Sequence, residues 1–177
     1  MSATIRYYHG EIFESRGYSF RVQFQHDENH EPPWENDCGR GIVSDWTQRD
    51  KRPGERVLCE DRHSSRFYDV EATIKLARKD GWGTTDGKRE GESPRAYAMR
   101  AVEEDFEFLS AWCRDVWSYV GVIVAQVDEE GNPLGPVDSL WGVETWKDYH
   151  CDVVRELTDE LLRRLEVDEP DVVLSEN

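Results

Sequence analysis

The segment Tyr119 to Asp128, YVGVIVAQVD, is apolar on both of its alternating faces. A strand with this pattern is stable in the middle of a sheet that is covered on each side. The segment therefore predicts a sheet with partner strands and with other elements packed over it. The 177 residues provide enough chain to close such a core in one domain.

Two hairpins are predicted around this strand. Tyr18 to His26 alternates apolar and polar side chains, which is typical of a strand with one buried face. Ile5 to Phe13 precedes it, and the short turn Glu14 to Gly17 predicts an antiparallel hairpin. A turn at residues 129–133 leads to a second hairpin strand over Val137 to Glu144.

Helical periodicity marks three segments. Asp69 to Lys79 begins with a good N-cap residue and is followed by a glycine, a common helix end. Ser93 and Pro94 open a longer helix, since serine caps well and proline is tolerated in the first turn. The last helix is predicted over about residues 148–165, with an apolar face at four-residue steps and an acidic outer face.

Residues 27–54 form a long irregular loop in this prediction, because prolines, glycines and charges leave no periodic apolar face. Glu55 to Glu60 follows as a short edge strand, and the glycine-rich residues 81–93 as a flexible connection. The tryptophans in loops, Trp34, Trp46 and Trp82, either pin these segments or form a protein interface. We expect a single α+β domain over residues 1–177, a mostly antiparallel sheet with helices packed on it and a short C-terminal tail.

Negative charge is concentrated near the C-terminus. The chain has 38 acidic and 22 basic residues, a net charge of −16. Residues 1–127 hold 23 acids and 18 bases, whereas residues 128–177 hold 15 acids and only four bases. A surface of one sign repels nucleic acid and anionic membranes and attracts basic partners. Direct nucleic-acid binding and membrane association are therefore not expected.

Several segments carry a family resemblance. Arg66 to Trp82, Ser118 to Glu144, Gly41 to Trp46 and Lys51 to Arg56 resemble small uncharacterised proteins encoded by tailed bacteriophages and their prophages. The resemblance covers most of the chain after Pro33 and carries over no catalytic residue. It implies a non-virion accessory protein made inside an infected bacterium, where acidic inhibitors of nucleic-acid-binding defences recur.

Charge and resemblance together predict a non-enzymatic binding protein of the anti-defence type. Its acidic C-terminal helix and the preceding hairpin would present carboxylates to the basic groove of a host nucleic-acid-binding protein, in competition with DNA or RNA. No cofactor is expected. The predicted partner-binding residues are Glu129, Glu130, Asp138, Asp152, Glu156, Asp159 and Glu160, with Trp146 as an apolar anchor.

A zinc-stabilised module or small metal-dependent enzyme is the alternative. Its ligands would be His26, His30, Cys38, Cys59 and His63, which are the imidazole and thiolate types that suit zinc. The set has neither a CxxC pair nor an HExxH motif. The four cysteines are widely spaced, which favours reduced thiols in a reducing compartment, and we expect a cytoplasmic protein.

Other catalytic patterns are weak. His150 and Cys151 are neighbours on a predicted helix and point about 100° apart, so they need not meet as a base and a nucleophile. The acidic run Glu103 to Asp105 is most simply a solvated face. Gly81 to Gly83 lacks the preceding strand and the GK[ST] sequence of a phosphate loop, which argues against nucleotide binding.

Overall fold

The structure, a computed structural model, describes residues 5–35 and 39–168 and has an α+β fold. Among these residues, no helix is both long and apolar enough to cross a membrane. The strands are β1 (Ile12–Ser15), β2 (Tyr18–His26), β3 (Glu55–Glu60), β4 (Ser65–Asp69), β5 (Tyr119–Val127) and β6 (Pro133–Glu144). The helices are α1 (Val70–Asp80), α2 (Pro94–Cys113) and α3 (Tyr149–Asp168), the last preceded by a 3₁₀ turn at Trp146–Asp148.

Four strands form an antiparallel sheet in the order β1-β2-β5-β6. The predicted central position of β5 is confirmed, since it lies between β2 and β6 and seven of its nine residues are buried. Both predicted hairpins are present. β1 begins later than predicted, at Ile12, because residues 8–11 form a turn in which the Glu11 N–H donates to the Tyr8 carbonyl at 3.0 Å.

The chain divides into two compact units. Unit 1 comprises residues 1–30 and 118–177, and unit 2 comprises residues 31–117. The four-stranded sheet and α3 belong to unit 1, whereas β3, β4, α1 and α2 belong to unit 2. The α+β class and the antiparallel sheet are confirmed, and the assignment of residues 1–177 to a single domain stays a prediction.

In unit 1, α3 packs on one face of the sheet. Its inward side chains alternate with exposed carboxylates, as the four-residue spacing of apolar residues predicts. The core is formed by ten buried residues: Phe20, Val22, Val120, Val122, Val124, Val143, Val153, Val154, Leu161 and Leu162.

In unit 2, the predicted helix ends are confirmed. The Asp69 side chain accepts a hydrogen bond from Ala72 N–H at 2.9 Å, and Ser93 caps α2 through Ala96 N–H at 3.2 Å. The strand β4 was not predicted. It runs directly into α1, and adjacent Phe67 and Tyr68 are both buried, so its sequence shows no alternation.

A buried polar network attaches the irregular loop to this unit. Asp105 is 6% exposed and accepts hydrogen bonds from the Tyr68 hydroxyl at 2.8 Å and from Gly41 N–H at 2.9 Å. Burial raises the pKa of both Asp105 and Tyr68. The expected solvated position of Asp105 is therefore wrong. It lies three residues after Val102 and four before Leu109, on the buried face of α2.

The cysteine prediction is also corrected. Cys59 on β3 and Cys113 at the end of α2 form a disulfide, although their wide spacing suggested reduced thiols. Folding brings these two residues together across 54 positions of sequence, which spacing alone does not reveal. Cys151 is a free, buried thiol, and Cys38 lies outside the described residues.

Candidate functional site

The two units differ in charge. The sequence of unit 1 contains 19 acidic and 7 basic residues, a net charge of −12. Unit 2 has the same number of acids but 15 basic residues, a net charge of −4. The negative field is therefore generated mainly by unit 1, which contains all the predicted partner-binding residues.

The predicted acidic residues of α3 share its outer side. Asp152, Glu156 and Asp159 are exposed and Glu160 is partly exposed. Their spacing of three, four, seven and eight residues places them along one stripe of a helix. The stripe is opposite the inward Val154 and Leu161, so packing of the core orients the carboxylates toward solvent.

Three arginines interrupt this stripe. Arg155 pairs with Asp152, and Arg163 pairs with Glu160. The two residues of each pair lie within one helical turn of each other. All four side chains are at least partly exposed to solvent. Arg164 connects α3 to the sheet, since its guanidinium lies 2.7 Å from Asp138 on β6 and 3.4 Å from Glu160.

Two helix carboxylates keep an unneutralised charge. Glu156 and Asp159 have no ion-pair partner among the residues that the structure describes. Around them, the arginine pairs reduce the net negative charge of the acidic outer face that the sequence predicts for this helix. Among the predicted carboxylates of α3, the negative charge that no arginine pairs with in the described part of the chain is therefore at Glu156 and Asp159.

The β5–β6 turn presents the other predicted carboxylates. Glu129 and Glu130 are exposed at its tip. The turn is held by Asp128, whose side chain accepts hydrogen bonds from the backbone and side-chain amides of Asn132 at 2.7 and 3.0 Å. These hydrogen bonds lower the pKa of Asp128.

Trp146 is half-buried in the 3₁₀ turn before α3, with the Lys147 ammonium 5.7 Å from its ring centroid. Exposed apolar side chains lie instead on β6, an edge strand of the sheet. Trp141, whose position in a predicted strand favours a place in the core, is instead 48% exposed and covers Gly121 of β5. The other exposed apolar residues of β6 are Leu134, Val137 and Leu140.

Among the described residues, the predicted zinc ligands are not brought together as a metal site. Cys59 is in the disulfide, and Cys38 lies outside the described residues. His30 stacks on Tyr119 with 3.6 Å between ring centroids, while His26 and His63 are exposed. Within residues 5–35 and 39–168, no group of three or more His, Cys, Asp or Glu side chains is arranged to hold a metal.

His150 and Cys151 line a cavity of about 300 Å³ in unit 1. Cys151 is 1% exposed, and burial lowers the pKa of His150. Three other polar side chains of the cavity have partners: His9 Nδ1 accepts from Phe24 N–H at 3.1 Å, and Asp148 pairs with Arg6 at 2.9 Å. A buried thiol beside groups held in this way does not form an accessible nucleophilic centre.

Comparison of the chain with protein-family models, with curated proteins and with solved structures finds no match.

Proposed function

We propose that this protein is a non-enzymatic binding protein whose unit 1 engages a basic surface of a nucleic-acid-binding protein. The observation that carries the proposal is the pair Glu156 and Asp159, exposed on α3 and without an ion-pair partner in residues 5–35 and 39–168. They lie in the unit that carries a net charge of −12. Such a field steers a cationic partner toward this face and raises its association rate.

The neighbouring arginine pairs are compatible with binding. Exposed ion pairs contribute about 0–1 kcal/mol each, so a partner cation can replace Arg155 or Arg163 at little cost. Asp152 and Glu160 would then join Glu156 and Asp159 in contacting the partner. A row of carboxylates along a helix presents negatively charged oxygen atoms, as successive phosphates of a nucleic acid do. The protein would therefore compete with DNA or RNA for the same basic surface.

Apolar contact is available beside the charges. Charged residues at the rim of a protein interface raise the association rate and the specificity. Desolvated apolar and aromatic side chains at its centre contribute most of the affinity. The edge strand β6 exposes Trp141 and Leu140, and Asp138 of the same strand contacts α3 through Arg164. We therefore place the apolar anchor on β6, in preference to the half-buried Trp146.

The setting is part of the proposal. The resemblance to bacteriophage and prophage proteins favours a host bacterial cytoplasm, and an anti-defence inhibitor competes there with nucleic acid for a host protein. Glu129 and Glu130 would extend the acidic surface at the tip of the β5–β6 turn.

A charge-reversal experiment tests the proposal. Immobilised wild-type protein, E156K/D159K and the control E90K/E107K are incubated with a nuclease-treated bacterial lysate at low and high salt. Glu90 and Glu107 are exposed in unit 2, so the control makes the same change in net charge. Bound proteins are identified by mass spectrometry, and each purified candidate is assayed for release of a labelled DNA duplex.

We expect the wild-type protein and the control to retain nucleic-acid-binding proteins at low salt and to displace DNA from them. E156K/D159K should lose this capture, because lysines would face the partner's cations. Equal capture by all three proteins, or captured proteins that keep their DNA, would show the proposal to be wrong.

A further inference from the structure

Unit 2 contains an open cavity of about 520 Å³ beside the end of α1 and the start of α2. Ligand-binding pockets for small molecules range over roughly 300–1,000 Å³, so the cavity has the size of such a site. Its lining residues come from the second half of α1, from the loop that follows it and from the beginning of α2.

The cavity is cationic although the protein is acidic. Four of its lining residues are Lys or Arg, and none is Asp or Glu. In the described part of the chain, none of these four cations forms an ion pair, whereas most arginines elsewhere do. The cations are therefore available to an anion from solution.

Helix stability explains only part of this cluster. Arg78 and Lys79 lie in the last turn of α1, where positive charge complements the helix dipole. Lys75 lies a turn earlier and Lys88 comes from the following loop. Neither Lys75 nor Lys88 lies at a helix end whose dipole its charge would complement. Both nevertheless line the same cavity as Arg78 and Lys79.

Aromatic side chains provide a second kind of contact. Trp82 and Tyr97 are half-buried in the cavity wall, and the buried Ala77 and Ala98 leave space between them. The Tyr97 hydroxyl accepts a hydrogen bond from Thr84 N–H at 3.3 Å, which fixes the ring relative to the loop. Half-buried rings in a pocket favour ligands with a planar, apolar face.

The loop that carries Trp82 and Lys88 is held in place by hydrogen bonds. Arg100 of α2 donates to the Gly87 carbonyl at 2.7 Å and forms an ion pair with Glu92. The side chains of this pair are only 20% and 9% exposed. The glycine-rich segment 81–93, for which the sequence predicts flexibility, therefore forms a structured wall, and preorganisation of this kind favours binding.

We propose that this cavity binds a nucleoside phosphate, with the phosphate at the lysines and arginine and the base against Trp82 and Tyr97. Several unpaired cations match a ligand with more than one negative charge, and the rings match a planar base. The missing phosphate-loop motif does not exclude such a site, because side-chain cations here replace backbone N–H groups as phosphate ligands. This function is separate from the proposed acidic interface of unit 1.

A free mononucleotide is favoured over a nucleic-acid strand as the ligand. The volume of the cavity matches a ligand of that size. A longer strand would extend beyond the four cations into the field of a protein with a net charge of −16, which opposes its binding. A short single-stranded oligonucleotide is therefore included as a competing ligand in the test.

Calorimetric titration of the full chain compares AMP and ADP with adenosine, inorganic phosphate and the oligonucleotide. We expect saturable binding of the nucleotides, weakened by salt, and binding at least about tenfold weaker for adenosine and for phosphate alone. The tryptophan fluorescence of the wild-type protein should change on ADP addition, and that change should be absent in W82F.

Matched variants test the site itself. K75Q/K88Q should bind ADP about tenfold more weakly, while K51Q/R62Q, with the same charge change at exposed positions outside the cavity, should bind as the wild type does. Thermal unfolding of all variants verifies folding. Absence of saturable nucleotide binding, equal affinity in K75Q/K88Q, or tighter binding of the oligonucleotide than of ADP would each overturn the proposal.

Discussion

The carboxylate of Glu92 accepts two hydrogen bonds from the guanidinium of Arg100, at 2.7 Å from Nε and 2.8 Å from Nη2. This two-bond geometry joins the end of loop 81–93 to α2. Hydrogen bonds from Arg100, and then from the backbone of Arg89, lower the pKa of Glu92 to about 2. Loop structure is therefore linked to the ionisation of one carboxyl group.

Acid should open this loop. A carboxyl whose pKa is lower in the folded state binds fewer protons there than in the unfolded chain, so its stabilising effect is complete above about pH 5. The effect is lost as the pH falls toward 2, the folded-state pKa of Glu92. E92Q should make trypsin cleavage after Lys88 and Arg89 faster at neutral pH, and it should reduce the change in tryptophan fluorescence that loop opening around Trp82 causes between pH 5 and pH 2. E90Q should behave like the wild type in both measurements.

The approach of Gly41 to Tyr68 leaves no room for a side chain. A Cβ at position 41 would overlap the Tyr68 ring. G41A should therefore lower the free energy of unfolding by roughly 1–3 kcal/mol, as overpacking usually does. G83A is the control, because a Cβ there lies 3.6 Å from its nearest neighbour, and urea unfolding compares the two. A wild-type stability for G41A would contradict the observed packing.

Removal of the Tyr68 hydroxyl tests the same network by another route. Y68F leaves the buried Asp105 with Gly41 N–H and Arg40 as its remaining donors. A buried hydrogen bond contributes about 0.5–1.5 kcal/mol, and about 1.5–3 kcal/mol when one partner is charged, so urea unfolding should show a loss of roughly 1–3 kcal/mol. An unchanged midpoint would mean that the hydroxyl contributes nothing to stability.

The disulfide should stabilise unit 2. Closing a loop of 54 residues removes conformational entropy from the unfolded chain, and such bonds typically contribute about 2–4 kcal/mol. Urea unfolding of the oxidised protein with and without reductant should differ by that amount, and C59S/C113S should match the reduced protein. Mass spectrometry of non-reduced peptides should recover the Cys59–Cys113 link, and its absence from protein oxidised in vitro would exclude the bond.

Two tryptophans, Trp117 and Trp141, differ strongly in burial. Trp117 is 3% exposed and donates its indole N–H to the Phe108 carbonyl at 2.8 Å, whereas Trp141 is 48% exposed. W117A should cost about 3–5 kcal/mol of unfolding free energy, in the range for large core residues. W141A should cost clearly less in the same urea titration, and the opposite order would contradict their positions.

Local signals were sufficient to predict much of this fold. The N-caps Asp69 and Ser93, the alternation of β2 and the two-faced apolar pattern of β5 each depend on neighbours within a few residues. The hairpin turn is also local, since Arg16 and Gly17 adopt positive φ angles of 48° and 82° as a two-residue turn requires. Each of these features is determined by residues close to it in the sequence.

The missed features depend on contacts between distant residues. Cys59 and Cys113 meet only after β3 and α2 have formed, and Asp105 is stabilised inside the unit by Tyr68 and Gly41. The outer stripe of α3 was predicted, but Arg164 also contacts Asp138 on another element, which periodicity along the helix cannot show. The cationic cavity similarly combines a helix end, a loop and a second helix.

The register of β2 with β5 brings together the two ends of the segment between residues 27 and 119. His26 is paired with Val120, and Asp27 N–H donates to the Tyr119 carbonyl at 3.0 Å, so unit 2 departs from and returns to adjacent points of one sheet. Replacement of the segment between residues 27 and 119 by a short designed linker would therefore remove unit 2 and leave β2 and β5 as a simple hairpin. Recombination at these two points would exchange unit 2, with its cationic cavity, while the sheet and α3 of unit 1 stayed intact.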